Sequence, residues 1–131
     1  MTDLRANWPV RAVALATVAY STAITIAPRL LARPCGLVSA DGSVPPAVAG
    51  LTRSIGVRDA ALAGALALAP AGFPVRMLTA ARVISDSADA VWLSRLVDDR
   101  GAKAKIAGVA LGWALLEAVT GLAGTAAGTP S

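Results

Sequence analysis

The stretch AVALATVAYSTAITIA, residues 12–27, decides the fold because it contains no charged side chain. Trp8 and Pro9 precede it; tryptophan favours the water–lipid interface, and proline is tolerated at the first position of a helix. Continued to Leu31, the segment is about 23 residues long, enough to span a bilayer with some tilt. We therefore predict a membrane-spanning helix over residues 9–31. A secretory signal peptide is the alternative, since a short positive N-terminus precedes the apolar run.

Three further apolar segments follow, separated by clusters of proline, glycine and aspartate that break helices. The predicted spans cover residues 47–69, 75–96 and 103–123. The sequence therefore predicts an all-α fold, a four-helix transmembrane bundle with up-down topology that forms a single membrane domain over residues 1–131.

Composition supports this class. Hydrophobic residues make up 56% of the chain and charged residues 15%, whereas a soluble domain carries about 25% charged residues. The net charge of +4 comes from basic residues scattered at segment ends, with few aromatic side chains for base stacking, so we predict no nucleic-acid partner. With Cys35 as the only cysteine and no histidine, an intrachain disulfide and a Cys/His metal site are excluded. We predict no metal and no cofactor. A soluble helical domain is the alternative.

The distribution of arginine and lysine predicts the orientation. Six basic residues lie near the first and third loops and three near the other side: Arg29, Arg33, Arg95, Arg100, Lys103 and Lys105 against Arg5, Arg11 and Arg76. Cytoplasmic loops carry an excess of basic residues. We therefore expect a multi-pass protein of a bacterial cytoplasmic membrane with both termini on the extracytoplasmic side.

Small residues recur at every fourth position of two predicted spans. They are Gly56, Ala60 and Gly64 in the second span, and Ala104, Gly108 and Gly112 in the fourth. Such faces promote helix association in lipid because they let backbones approach closely. In an alanine-rich chain, chance is the other explanation for this spacing.

Charged residues also lie inside the predicted spans. They are Arg53, Arg58, Asp59, Arg82, Asp86, Asp89 and Glu117. Each costs at least about 2.5–3.5 kcal/mol at the bilayer centre unless it is paired or hydrated. These residues must therefore neutralise one another or line water.

The depths of these charges predict partners, because each residue adds about 1.5 Å of rise along a helix. The predicted pairs are Arg53 with Asp89, Arg58 with Asp86, and Arg82 with Glu117 or with Asp86 one turn along its own helix. Asp59 is left to share Arg58 or to reach Tyr20. Two interpretations stay open: a structural network that fixes helix register, or a polar pocket or ion path that opens toward the first loop.

One motif carries a resemblance. The stretch RSIGVRD, residues 53–59, followed by LAG at residues 62–64, resembles the R-x-x-G-x-R-D motif of a family of small four-helix bacterial membrane proteins that are broadly DoxX-like. Arg82 with Asp86 and Asp89 resembles the third helix of that family. The resemblance covers about residues 10–123. It implies the architecture and no activity, because that family is a domain of unknown function.

Three functions are compatible with these features. The first is a non-enzymatic membrane protein that associates with the lipid bilayer and with a second copy or a larger membrane complex. The second is a small carrier or a lipid- or ligand-binding bundle whose pocket is lined by Tyr20, Arg58, Asp59, Asp86 and Glu117. The third is a membrane enzyme that uses Asp86 and Asp89 in acid–base chemistry. Since no nucleophile motif, phosphate loop or metal set accompanies these carboxylates, we predict that the protein is not an enzyme.

Overall fold

The computed structural model describes residues 8–126, with side chains described as far as residue 122. Over this range the chain is all-helical. Its elements are α1 (Trp8–Ile26), α2 (Arg29–Ala32), α3 (Pro46–Leu68), α4 (Phe73–Arg95) and α5 (Arg100–Ala126). The two ends of the predicted domain, residues 1–7 with Arg5 and residues 127–131, lie outside the described residues.

Proline and glycine set the helix limits. Pro46 opens α3 and Pro74 lies in the first turn of α4, where a missing N–H costs no intrahelical bond. Gly72, with φ +100°, reverses the chain before α4. The prediction that the first helix continues to Leu31 is wrong: α1 ends at Ile26, because Pro28 has no N–H to continue the helix, and the chain restarts as the short α2.

The four long helices alternate in direction. α1 packs along α3, and α4 packs along α5; the two pairs meet through α3 with α4 and through α1 with α5. Antiparallel order follows from contacts that join opposite ends of neighbours, as when the Arg11 guanidinium in α1 donates to the Ala69 carbonyl after α3 at 3.4 Å. We call the end that holds the α1–α3 and α4–α5 connections the loop-one end.

Two glycines allow the closest helix contacts. A Cβ atom at Gly56 of α3 would meet the Thr25 hydroxyl and would lie 2.7 Å from the Ser21 carbonyl oxygen of α1. A Cβ atom at Gly121 of α5 would lie 2.6 Å from the Thr79 side chain of α4. Each tightly packed helix pair is therefore in contact at a position where only glycine fits without a shift.

The predicted small-residue faces contribute unequally to packing within the chain. Gly56 makes a close contact, Ala60 is half-buried, and Gly64 has no atom within 4 Å of a built Cβ. Ala104, Gly108 and Gly112 form an exposed face of α5. Within residues 8–122 no other helix covers this face. The contact on α5 is made instead by Gly121, which the fourfold spacing does not include.

The buried apolar side chains form two clusters with a polar layer between them. The cluster at the loop-one end consists of Ile24, Ala32, Cys35, Leu37, Ile55, Leu93, Val97 and Ile106. The cluster at the opposite end consists of Val10, Ala14, Leu66, Ala67, Ala69 and Val75. Thr17, Ser21, Asp59, Arg82, Asp86 and Glu117 are buried between them along the helices. Polar groups thus occupy the centre of the bundle.

The outside of the bundle is rich in large apolar side chains. Exposed ones occur on every long helix, among them Leu15, Leu68, Ile84, Trp92 and Leu115. Two helical stretches, Trp8–Ile26 and Arg100–Leu122, are long and apolar enough to cross a membrane. Of the most apolar 18-residue window in each stretch, 28% and 22% respectively is buried within the bundle, so most residues of both windows are exposed or half-buried. α3 and α4 are less apolar because they carry most of the buried charges.

Candidate functional site: a buried charge network beside a cavity

Arg82 of α4 lies at the centre of the polar layer, with 1% of its surface exposed. Its Nε and Nη2 both donate to Oε1 of Glu117 on α5, at 2.9 and 2.8 Å. Its Nη1 lies 3.4 Å from Asp59 on α3, and its Nη2 lies 3.5 Å from Asp86 one turn along α4. One guanidinium therefore links three helices through three carboxylates.

Arg58 of α3 extends the network toward the loop-one end. It donates two parallel hydrogen bonds to Asp89 of α4, from Nη1 at 3.2 Å and from Nη2 at 2.6 Å. Its Nε also donates to Asp59, the next residue in the chain, at 2.9 Å. Bidentate arginine–carboxylate pairs fix geometry as well as adding energy, so this pair sets the register of α3 against α4.

The structure contains some of the predicted ion pairs and lacks others. The Arg82 contacts with Glu117 and Asp86 are present, and Asp59 shares Arg58. The predicted pairing of Arg58 with Asp86 is wrong, because Arg58 binds Asp89 instead. Arg53 was predicted to bind Asp89, yet it is exposed and forms no ion pair with any described residue. Five residues separate Arg53 from Arg58, which places them about 140° apart around the helix, so they cannot face the same partner.

Because Arg53 lies outside the network, the network has one positive charge fewer than the predicted set of charged residues. Two guanidinium groups, Arg58 and Arg82, face four carboxyl groups, Asp59, Asp86, Asp89 and Glu117. Fully ionised, the network carries a formal charge of −2. The seven charged residues that the sequence places inside the predicted spans, three arginines and four acidic residues, would sum to −1; the network is one unit more negative because Arg53 lies outside it.

Asp86 is the carboxylate with the weakest protein contacts. It is 6% exposed, and its Oδ2 has no hydrogen-bond donor among residues 8–126. Its nearest cation is Arg82, whose Nη2 already donates to Glu117. Among the described side chains, the other buried polar atoms without a hydrogen-bond partner are Arg82 Nη1, Glu117 Oε2 and Thr79 Oγ1. Asp86 therefore keeps acceptor capacity that no described residue fills.

A cavity of about 500 Å³ adjoins the network. Apolar side chains such as Ile24, Ile55, Leu93 and Ile106 line it, and Asp59, Arg82, Asp86 and Asp89 line it at the level of the polar layer. Its other end is lined by residues of the loop-one end, including Leu31, Cys35 and Lys105. This volume falls in the range of small-molecule sites, about 300–1,000 Å³.

Two aromatic residues belong to the cavity wall. Tyr20, predicted as a site residue, lines the cavity and is about half exposed; no hydrogen bond joins it to Asp59 in the described part of the chain. Trp113 also lines the cavity, and its indole N–H donates to the Thr17 hydroxyl at 3.1 Å. Sequence reasoning missed Trp113 and Thr17. The available signal was Thr17 with Ser21, two small polar residues at i and i+4 on one face of an apolar helix.

The loop between α2 and α3 lies at the loop-one end. Gly36, with φ +69°, lets the Leu37 amide donate to the Ala32 carbonyl at 2.8 Å, while the Gly36 amide donates to the Arg33 carbonyl. This pair of hydrogen bonds is the Schellman motif that ends helices. It turns Cys35 inward, where the cysteine lines the cavity as a free thiol. Burial raises the pKa of the Cys35 thiol above its ordinary value.

Three of the carboxylates could approach a metal ion. Asp59, Asp86 and Asp89 each offer one oxygen atom, and these atoms lie within 4.8 Å of one another. However, Arg58 already binds both Asp59 and Asp89. A divalent cation would have to displace that guanidinium or sit beside it, so the donor set fits a metal poorly.

Comparisons with protein families, with characterised proteins and with solved structures give no match to this chain.

Proposed function

We propose that this chain is an integral membrane protein whose four long helices span the bilayer and enclose a binding cavity for a small amphipathic molecule. The observation that carries the proposal is the inverted distribution of polarity. The largest fully buried side chain is Arg82, while large apolar side chains cover the outside of the bundle. In water such an arrangement would expose apolar surface and bury charge, both of which are unfavourable. In lipid the exposed apolar surface carries no such penalty, and charged side chains inside a bilayer face the bundle interior and pair there.

Membrane retention tests the first half of the proposal. After expression in bacteria, we expect the protein to stay in the membrane pellet through an alkaline carbonate wash and to leave it only with detergent. Recovery in the carbonate supernatant would remove the proposal, because a soluble bundle or a peripheral protein is released under those conditions.

The charges at the two ends support an orientation. The loop-one end holds Arg29, Arg33, Arg95, Arg100, Lys103 and Lys105, whereas the opposite end holds Arg11 and Arg76 among the described residues. By the positive-inside rule the loop-one end faces the cytoplasm and the termini lie outside. In intact cells and in a Cys35→Ala background, an impermeant maleimide should label Ala71→Cys and leave Ser43→Cys unlabelled. The reverse pattern would invert the orientation.

The cavity favours ligand binding over a purely structural role. A structural network needs no empty volume beside it, yet the charges here adjoin a space of about 500 Å³ with mostly apolar walls. Apolar walls with a few convergent polar groups are typical of small-molecule sites. The residues that line the cavity extend from the polar layer to the loop-one end.

The single native cysteine reports occupancy of this cavity. In detergent micelles or phosphatidylcholine nanodiscs, hexanol should slow the alkylation of Cys35 by N-ethylmaleimide. Replacement of Ala110, a lining residue, by phenylalanine should fill the cavity and remove the effect of hexanol. Ala65→Phe, at an exposed position of α3 outside the cavity lining, is the matched control and should behave like the parent. If hexanol gives no protection of a reactive Cys35, the binding function is wrong.

A second candidate function is self-association. The exposed face of Ala104, Gly108 and Gly112 on α5 has the spacing that lets helices approach in lipid. A built Cβ at Gly108 or at Gly64 meets nothing within 4 Å of the described chain, so neither position is held as glycine by a contact at Cβ within the monomer. We expect Gly108→Leu to reduce cross-linked dimer in native membranes and Gly64→Leu to leave it unchanged. Equal yields for the two variants would remove this candidate.

A further inference from the structure

The occupant of the cavity can be specified further, on the assumption that the cavity binds a ligand as proposed above. We infer that it takes an amphipathic organic cation, with its ammonium group against Asp86 and its apolar part along the wall toward the loop-one end.

Charge is the first argument. The network carries two guanidinium groups and four carboxyl groups, so one added positive charge reduces its excess negative charge from two units to one. An added anion would increase the excess to three units in a site sheltered from water. Isolated charge in an apolar environment is strongly unfavourable unless it is paired, so the site selects a cation over an anion.

The second argument is that Asp86, among the described carboxylates of the network, is free to accept a new donor. This carboxylate is buried, lines the cavity and has an Oδ2 atom without a donor in the described chain. Asp59 and Asp89 are already bound by Arg58, and Glu117 by Arg82. An alkylammonium group can donate a charge-assisted hydrogen bond to Asp86, and a quaternary one can pair with it electrostatically.

The third argument is the composition of the wall. Leu93, Ile106 and Ile24 offer an apolar surface, and the rings of Tyr20 and Trp113 belong to the same wall. Aromatic faces attract organic cations, including quaternary ammonium groups. Lys105 is the cation of the cavity lining outside the network; it lies near the start of α5, about 12 Å along the helix from Trp113 at 1.5 Å per residue. Its exposed side chain can extend into solvent, away from the network.

An inorganic divalent cation fits these observations less well. It requires several free oxygen ligands, and two of the three clustered carboxylates are occupied by Arg58. It would also leave the apolar part of the cavity unused. An organic cation needs only Asp86 and fills both parts.

The experiment uses the full-length protein in phosphatidylcholine nanodiscs and measures the rate of Cys35 alkylation. Three probes share one alkyl chain and differ in charge: hexyltrimethylammonium, hexanol and hexanoate. We expect hexyltrimethylammonium to protect Cys35 at the lowest concentration and hexanoate to require the highest. This comparison is made on the wild-type protein and does not depend on the folding of any variant.

Substitution of Asp86 locates the charge that selects the cation. In Asp86→Asn, protection by hexyltrimethylammonium should require about tenfold more probe, as loss of one charge-assisted contact implies. Protection by hexanol should not change. Asp98→Asn, in the exposed turn before α5, is the control and should match the wild-type protein. Because each probe is compared with itself in different variants, its partitioning into lipid is the same on both sides of the comparison.

The outcomes separate the two proposals. If hexanol protects as well as the cation, or if Asp86→Asn leaves the cation unaffected, the cationic ligand class is wrong while the binding cavity stands. Stronger protection by hexanoate would likewise overturn the cationic class. If none of the probes protects a reactive Cys35, both the ligand class and the binding function are wrong.

Discussion

At Arg82 one guanidinium meets Glu117, Asp59 and Asp86 with almost no access to solvent. Its removal would leave three buried carboxylates without this cation. Breaking a buried ion pair by removing one partner costs about 3–5 kcal/mol, because the remaining charge stays desolvated. The network therefore acts as a unit in which Arg82 is the most sensitive position.

We expect Arg82→Met to lower the free energy of unfolding by about 3–5 kcal/mol, measured by titration of the detergent-solubilised protein with sodium dodecyl sulfate. Arg76→Met, on the same helix and exposed, should change it by less than about 0.5 kcal/mol. Equal stability of the two variants would show that Arg82 is not buried among carboxylates.

The partner of Arg58 can be decided by double-mutant cycles. Arg58 donates to both oxygens of Asp89 and to Asp59, and no hydrogen bond joins it to Asp86 within residues 8–126. The cycle of Arg58→Met with Asp89→Asn should give a coupling energy of about 0.5–3 kcal/mol in the same unfolding assay. The cycle of Arg58→Met with Asp86→Asn should give a smaller value, and the opposite order would return Arg58 to the pairing predicted from depth alone.

Depth along a helix predicted Arg82 with Glu117 but could not predict Arg58 with Asp89. Residues one turn apart differ by about 5.4 Å in height, a distance that a long arginine side chain covers by changing rotamers. Height also says nothing about the direction in which a side chain points, which is why Arg53 was assigned to a network that it does not reach. The positions of Arg53 and Arg58 around the helix axis, about 140° apart, show that the two side chains point in different directions.

Among the elements, the α1–α3 contact depends on Gly56. A Cβ atom there would overlap the Thr25 hydroxyl and crowd the Ser21 carbonyl oxygen, which belongs to the backbone of α1 and cannot move independently. Overpacking of this kind costs about 1–3 kcal/mol. The helix pair would have to separate to accommodate even one methyl group.

Gly56→Ala should therefore lower the free energy of unfolding by about 1–3 kcal/mol. Gly64→Ala, two turns later on α3, meets open space and should stabilise the helix by about 0.5–1 kcal/mol, since alanine loses less conformational entropy than glycine. The difference between the two variants is the test, because both make the same chemical change in one helix. Stabilisation of both would contradict the tight contact.

Helix existence and most helix limits followed from the sequence, because breakers such as Pro46 and Pro70 are local signals. The predicted break at Gly101 is wrong, since α5 begins at Arg100 and includes this glycine. The early end of α1 was missed, although Pro28 was visible, because apolar residues continue beyond it. The face of α5 that packs within the chain was also missed. Spacing of small residues selected Ala104, Gly108 and Gly112, whereas the close contact occurs at Gly121. A stripe of small residues identifies a face and does not identify its partner.

For the whole molecule, the order of layers is the feature that matters: exposed apolar side chains surround a core whose centre is charged. Composition alone predicted an apolar chain, and the placement of charges inside apolar segments predicted that they meet. The sequence predicts a polar pocket toward the first loop as one of two interpretations. The volume and the apolar walls of the cavity could not be predicted, because they depend on how the helices pack together and not on any single helix.

The most direct test of the inverted bundle is spin-label accessibility on α5. Labels replace exposed Leu115 and Val119 and buried Ala114, one at a time, in a Cys35→Ala background and in phosphatidylcholine nanodiscs. In a bilayer, labels at Leu115 and Val119 should relax strongly with oxygen, which concentrates in lipid, and weakly with a water-soluble nickel chelate, while Ala114 should respond weakly to both. Strong relaxation of the Leu115 and Val119 labels by the nickel chelate would place these apolar surfaces in water and contradict the account.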